Sequence, residues 1–226
     1  MLICDALRNL LLPRLEQILA RRDDVHEKPD GSYVTAADVY IQDTVIEFIN
    51  REYPKCKIIS EELAQSFDSH DDQATYLIID PLDGTENFVS GLKEWGIGVS
   101  VYDAGVHRES MILLPELGES LITGETIQRF SSRIHGISSS LRKQDLEGLE
   151  EGFEYRLIGC SMYNMFNVLR GSYRVFENVK GVNAWDILPG LNLALEQGCQ
   201  ALVDGEIYHG EFLWSGRKYR VKISNR

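Results

Sequence analysis

Apolar positions in the first twenty residues recur at helical spacing. Leu7, Leu10, Leu11 and Leu15 form one stripe, so MLICDALRNLLLPRLEQILARR predicts an amphipathic helix. The stretch DDVHEKPDGSYV that follows is polar and carries the turn residues Pro29, Asp30 and Gly31; Lys28 within it reads as a solvated side chain or as one that this loop carries toward the candidate site. At T-A-A-D a second helix is marked by a capping box, with Thr35 at the N-cap and Asp38 three residues on. Ile41, Val45, Phe48 and Ile49 continue it as an apolar stripe to about Tyr53. Lys57 to Ser60 then reads as a short strand ending in Glu61 and Glu62, and Thr75 to Ile79 as a nearly continuous apolar strand running into DPLDGTENF. From Trp95 to about Thr123 the pattern is β, in three runs: GIGVSVYDAG, ESMILLPELG and ESLITGE. The polar piece from Glu125 to Gly152 predicts no element. Beyond it, YRLIG and YRVFE read as strands, SMYNMFNVLRG and AWDILPGLNLALEQG as helices, and FLWSGRKYRVKIS as a strand pair. Interleaved helices with consecutive β-runs in the middle favour layered α/β packing over a doubly wound parallel sheet.

A length of 226 residues is enough to bury a sizeable core without disulfides or a structural metal. Charge changes the picture more. Lys plus Arg number 23 against 35 Asp plus Glu, a net charge of −12, which argues against a broad phosphate-backbone binding face and so against a nucleic-acid partner. A small anionic substrate stays compatible where local cations or metal ions offset the field. No apolar run reaches the ~18 residues needed to cross a bilayer. Asp5, Arg8, Arg14 and Glu16 interrupt the first segment, so it is not read as a signal peptide. Cys4, Cys56, Cys160 and Cys199 form no CxxC pair and no zinc spacing, and read as reduced thiols of a cytoplasmic protein.

The candidate chemistry lies in where the carboxylates fall. Asp80 and Asp83 sit just past an apolar strand, with Pro81 limiting the backbone between them, Gly84 permitting unusual backbone angles and Thr85 able to cap a helix. Glu61 and Glu62 also follow a strand, and Asp186 stands at a helix start after Trp185. Acids at strand ends and helix starts can gather in one cleft, where hard divalent cations would offset their repulsion. A lone D-x-x-D-G also occurs as a polar turn, and a Glu-Glu pair as solvated surface; the residues alone leave these readings open. EF-hand calcium spacing is absent.

DPLDGTENF, with SEE upstream and NAWDILPG downstream, resembles the signature set of the inositol monophosphatase family. DGSYVTAAD, SEE, DPLDGT, a strand–GCS–helix segment and AWD occur in the family's order, from about residue 1 to 205, and the likeness is weakest between Glu116 and Gly152. The resemblance implies a five-layer αβαβα sandwich of mixed α/β class, forming a single phosphatase unit over 1–226. Sub-layers at about 1–125 and 153–226 would carry the metal-site and substrate halves. It implies a phosphomonoesterase that hydrolyses a small phosphorylated alcohol, an inositol monophosphate or sugar phosphate, with two or three Mg²⁺ per site. Such cations activate water and stabilise the attacking and leaving oxygens.

Carried over by position, Glu61, Asp80 and the Leu82 carbonyl match the ligands of a first metal, and Asp80, Asp83 and Asp186 those of a second. Asp38 and Thr85 match the pair that orients and activates the attacking water. Gly84 and Thr85 would offer backbone N–H groups to the phosphate, and Gly159, Cys160, Ser161 and Glu177 match substrate-binding positions. Cys160 reads as a small buried residue and not as a nucleophile, because no His stands near it in sequence. Cys160 and Ser161 depart from the family's usual residues, Glu86 adds a charge after DGT, and the usual G-x-G-A-x-x-N-G hairpin is not recognisable in LITGETIQRFSSRIHG. The charge balance and the apolar runs lead to the expectation of no nucleic-acid and no membrane partner, and the resemblance leaves a homodimer as a candidate assembly. Alternative readings are a 3′(2′),5′-bisphosphate nucleotidase or a non-catalytic regulatory member of the same fold.

Overall fold

Two β-sheets sandwich a pair of helices, and a second group of helices covers the outer face of one sheet. The computed structural model describes residues 2–29, 31–63, 71, 73–139, 141–147 and 149–225, so the turn expected at Asp30 falls outside the described residues. The first sheet contains β3 (Lys57–Ser60), β4 (Thr75–Asp83), β5 (Gly96–Asp103), β6 (Val106–Leu114) and β7 (Glu119–Ile122), in that order. Only β3 and β4 run parallel. The second sheet has the order β12-β11-β13-β10-β8-β9, built from β8 (Ile134–Ile137), β9 (Glu154–Leu157), β10 (Val175–Val182), β11 (Gln200–Val203), β12 (Glu206–Ile207) and β13 (Tyr219–Ser224). A small hairpin, β1 (Val25–Glu27) with β2 (Tyr33–Thr35), precedes both sheets. The mixed α/β layering expected from the sequence is what the chain adopts.

Period-two alternation decides which face of the first sheet meets which helices. Leu77 and Ile79 of β4 and Ile97, Val99 and Val101 of β5 pack with α1 (Ile3–Leu11), α2 (Leu15–Leu19) and α3 (Ala36–Glu52). Tyr76 and Ile78 of β4, Tyr102 of β5 and Ile112 of β6 face the other way. They share a core with α5 (Ser161–Leu169), α6 (Ala184–Glu196) and the second sheet. Asp80 continues the run of Tyr76 and Ile78, so its side chain belongs to the inner face. At the same face β5 carries Gly98. A Cβ there would fall 2.0 Å from Met162 Cε and 3.0 Å from Pro189 Cγ, so the missing side chain lets α5 and α6 lie close on the sheet. One further helix, α4 (Thr85–Val89), follows β4 directly.

Several local expectations are corrected. The first helix is broken: Pro13 lies in a 3-10 turn, Leu12–Arg14, between α1 and α2, because proline lacks the N–H that a continuous helix needs. Leu7 and Leu11 are nonetheless buried as the stripe requires. The polar stretch 125–152 contains β8, a four-residue strand whose order comes from pairing in parallel with β10 and β9 and not from its own pattern. The crossover between β8 and β9 holds, among the described residues, only the 3-10 turn Lys143–Leu146. The tail forms one strand, β13, and not a pair. Phe212 and Trp214 are apolar because their rings, 4.3 Å apart, fill the space beside Tyr76 and Tyr102, and not because they pair in a sheet. The β11–β12 hairpin has no counterpart in the pattern reading.

The start of α1 depends on a distant acid. Leu2 gives no side-chain cap, and the N–H groups of Ile3 and Cys4 donate to Glu109 Oε1 and Oε2 of β6 at 3.0 and 2.9 Å. Glu109 is buried, so its loss strands two donors away from water. Glu109→Ala is expected to lower stability by about 2 kcal/mol, the scale of a lost charge-assisted cap, with Glu109→Gln costing less. An unchanged urea midpoint for the alanine variant would contradict this.

Candidate metal centre

The two parallel strands of the first sheet bring their C-terminal acids together. Ser60 of β3 is in register with Ile79 of β4, which sets Glu61 beside Asp80. The start of α6 delivers Asp186 to the same point, and ligand oxygens of Glu61, Asp80 and Asp186 all lie within 4.8 Å of one another. Asp80 is only 1% exposed. Its Oδ1 accepts from the Leu82 N–H at 3.1 Å, while its Oδ2 has no hydrogen-bond partner among the described residues. Burial, then the charges of Glu61, Asp83 and Asp186, push the Asp80 carboxyl well above the usual carboxylate range. Burial and the charges of Asp83 and Glu61 do the same to Asp186. A buried carboxylate oxygen without a donor, inside an all-oxygen cluster of acids, fits a hard divalent cation and no soft one.

Two of the acids are set by the same device. Thr35 caps α3: its Oγ1 accepts from the Ala37 N–H at 3.1 Å, and Asp38 Oδ2 accepts from the Thr35 N–H at 2.8 Å and from the Thr35 hydroxyl at 2.6 Å. The box read from T-A-A-D is therefore present. Asn183 and Asp186 repeat it at α6, where Asp186 Oδ2 accepts from the Asn183 N–H at 2.8 Å. This second box was missed in the sequence, although N-A-W-D has the same spacing. In each case the capping bonds fall on one carboxylate oxygen, and the rotamer is fixed by the helix start. Asp38 is 1% exposed, and burial, with the charges of Glu62 and Glu61, raises its carboxyl to about 6 against the hydrogen bonds from Thr35.

Asp83 is held from a third direction. Its Oδ2 accepts from the Met162 N–H at 2.5 Å and from the Cys160 thiol at 3.2 Å, at the start of α5. Burial raises it to about 7 even so, with the charge of Glu61 adding to the rise. It lies beside the Glu61–Asp80–Asp186 group but outside that tight set. Gly84, which follows it, has φ of +87°, and a Cβ there would stand 2.9 Å from Cys160 Cβ, so both the backbone angle and the close approach of α5 call for glycine. Cys160 is buried, as expected, and caps α5 through its sulfur, which accepts from the Tyr163 N–H at 3.3 Å.

Glu61, Asp80, Leu82, Asp83, Gly84, Thr85, Gly159, Cys160, Ser161 and Asp186 all line one cleft of about 700 Å³. Asp38 does not line it, but is close enough to Glu61 and Glu62 for their charges to raise its carboxyl. The Thr85 hydroxyl donates to the Leu82 carbonyl at 3.1 Å, and among the described residues no hydrogen bond joins Thr85 to Asp38, although α4 packs against β2, the strand that leads into Asp38. Glu177 is not brought to the cleft. Its neighbours Phe176 and Asn178 line it, whereas the Glu177 carboxylate lies on the opposite side of β10, 3.4 Å from Lys222 Nζ and 3.9 Å from His135 Nε2. Lys28 corrects the expectation of a solvated side chain. Its ammonium bridges Glu61 at 2.9 Å and Glu62 at 2.6 Å. Burial works against that charge, but the two carboxylates hold the pKa well above the ordinary lysine value.

Comparison with known proteins places this geometry in context. Nus factor SuhB of Pasteurella multocida is 28% identical over 207 residues, covering 79% of this chain and 75% of that protein. Nus factor SuhB of Escherichia coli K12 is 28% identical over 202 residues, covering 77% and 73%. Among solved structures, the IMPase of Thermotoga maritima superposes with a TM-score of 0.77 at 23% identity, over 99% of this chain and 89% of that one. An IMPase/NADP phosphatase complexed with Mg²⁺ and phosphate gives a TM-score of 0.79 at 20% identity over the same shares. These two structures share the fold. The model of the inositol monophosphatase family matches residues 6–132, more than half of the sequence, and the chain belongs to that family.

Proposed function

We propose that the protein is a Mg²⁺-dependent phosphomonoesterase that hydrolyses a small phosphorylated alcohol, an inositol monophosphate or a sugar phosphate. The observation that carries this reading is the convergence of Glu61, Asp80 and Asp186 around a buried carboxylate oxygen that has no donor. Glu61, Asp80, the Leu82 carbonyl, Asp83 and Asp186 would hold two or three Mg²⁺. Bound there, the ions would supply charge stabilisation of the attacking and leaving oxygens and lower the pKa of water. Each remaining role belongs to a side chain or backbone group of the chain. Thr85 donates its one hydroxyl proton to Leu82, which leaves its lone pairs free to accept from a water. Asp38, with a carboxyl near 6, is largely ionised at neutral pH and suited to take a proton. The backbone N–H groups of Gly84 and Thr85 are the proposed phosphate contacts, and Gly159, Cys160 and Ser161 would meet the alcohol.

The name Nus factor carried by the curated relatives favours a second reading, a regulatory member of the fold that acts without turnover. A phosphatase screen on inositol and sugar phosphates separates the two. Release of phosphate that depends on Mg²⁺ and stops in EDTA is expected for the enzyme. No release from any substrate, with Mg²⁺ bound, would support the regulatory protein.

Stability of the metal-free protein should depend on pH in a definite direction. Asp83 and Asp38, raised to about 7 and about 6, keep protons that the unfolded chain releases near pH 4. The folded state thus binds more protons across that window, so stability is greatest below it and is lost as pH rises through about 7. In EDTA the melting temperature is expected to be higher at about pH 5 than at about pH 8, and millimolar Mg²⁺ to remove most of the difference by mass action. A metal-free melting temperature that climbs with pH would refute the repulsion argument.

Two substitutions divide metal holding from water handling. Asp83→Asn should weaken metal binding and slow turnover on the order of a thousandfold, since metal charge stabilisation is worth several kcal/mol. Thr85→Ala should leave metal affinity close to wild type and lower kcat by about a hundredfold, the scale of a lost water-orienting group. Metal titration, kcat and melting curves for both variants check this, and normal turnover of Thr85→Ala would overturn the assignment.

A further inference from the structure

One buried polar pair lies outside the cleft yet joins two of the elements that build it. The Ser60 hydroxyl donates to Gln42 Oε1 at 2.5 Å, and both side chains are buried. Ser60 ends β3 and immediately precedes Glu61, while Gln42 stands one helical turn after Asp38 on α3. Residues four apart on a helix share a face, so Asp38 and Gln42 lie on the same side of α3.

The other buried residues of that helix are apolar. Ala37, Ile41, Val45 and Ile49 pack with Leu77 and Ile79 of β4 in a shared core. Apolar contact is non-directional and tolerates the sliding and rolling of a helix over a sheet. A hydrogen bond does not, because it weakens steeply with distance and misalignment. Among the described residues, the Gln42–Ser60 bond is the one side-chain hydrogen bond between α3 and β3. β3 needs such a tie, since it is an edge strand with β4 as its one neighbour in the sheet. A glutamine on a core-facing stripe is unfavourable to bury unless its polar atoms are paired, and an apolar residue would fill the place without that demand. Its presence is explained by the direction that its bond imposes.

The links form a continuous path. The Thr35 box fixes the Asp38 carboxylate relative to the start of α3. The Gln42–Ser60 bond fixes α3 relative to the end of β3, and the next residue is Glu61. Glu61 is near enough for its charge to act on Asp38. Resting on the phosphatase reading above, we infer that Gln42 and Ser60 are positioning residues, whose hydrogen bond sets the separation between Asp38, the proton acceptor, and Glu61, the metal ligand. Neither lines the cleft. Each acts through the acid beside it on its own element.

The test uses an asymmetry of buried hydrogen bonds. Removing one partner strands the other, whereas replacing both by apolar groups of similar shape is close to neutral for stability. Ser60→Ala leaves Gln42 Oε1 without this donor and should lower the melting temperature by about 5 °C. The double variant Gln42→Met with Ser60→Ala puts an apolar contact in place of the bond and should melt within about 2 °C of wild type. A pair with a structural role alone would then bind metal normally. The inference expects the stable double variant to bind Mn²⁺ about tenfold more weakly, the scale on which residues behind a metal ligand act. It also expects kcat to fall by about tenfold or more with little change in KM. Ser60→Thr, which keeps the hydroxyl, should hold both quantities within about threefold of wild type.

Mn²⁺ affinity, read from the electron paramagnetic resonance signal of the free ion, needs no turnover. A double variant that binds Mn²⁺ as wild type does would overturn the inference and leave the phosphatase reading standing. If wild type binds Mn²⁺ but hydrolyses nothing, the phosphatase reading falls, and the affinity ratio still decides the inference. Should the double variant fail to fold, Ser60→Cys, a weaker donor of similar shape, replaces it: weaker Mn²⁺ binding than wild type upholds the pair, and equal binding overturns it.

Discussion

Mutual repulsion among carboxylates gathered around a buried one is the constraint around which this molecule is arranged. Glu61, Asp80, Asp83 and Asp186 converge where two parallel strands end and two helices begin, and the burial of Asp80 carries its interactions with the half-buried others through a weakly screening medium. The fold answers with local donors. Helix α5 gives Asp83 a backbone N–H and a thiol, α6 gives Asp186 the Asn183 amide, and Lys28 lies across Glu61 and Glu62. Asp80 receives one amide on one oxygen and none on the other. The compensation is thus incomplete at one atom, and that atom is where a cation fits.

Helix starts do much of the positioning. Asp38 and Asp186 each stand three residues after an N-cap, and each has an oxygen tied to the backbone amide of that cap. A residue so tied satisfies an otherwise orphaned helix donor and also loses its rotamer freedom, which lets a flexible side chain serve as a fixed point in a site. The β4–α4 turn completes the arrangement, because Gly84 allows a left-handed backbone angle and lets Cys160 approach.

Much of this was legible in the sequence. T-A-A-D announced the Thr35–Asp38 box, DPLDGTENF and SEE announced the acids at strand ends, and the apolar runs of β4 through β6 among helices announced layered α/β packing. What escaped the pattern depended on partners distant in the chain. β8 is a strand because β9 and β10 flank it, and Glu109 caps a helix more than a hundred residues away. Lys28 reads as solvated until the fold shows Glu61 and Glu62 on either side of it. Glu177 matched a substrate position by resemblance, but strand alternation turns it away from the cleft toward Lys222.

Metal occupancy tests the central claim most directly. Crystals soaked in Mn²⁺, a hard cation whose anomalous scattering locates it, would report where ions settle. The account predicts a peak within coordination distance of Glu61, Asp80 and Asp186, with the free Asp80 oxygen among its ligands and the Lys28 ammonium at the edge of the site. A cleft that stays without a peak at saturating Mn²⁺, or ions found only on the exposed acidic surface, would contradict it.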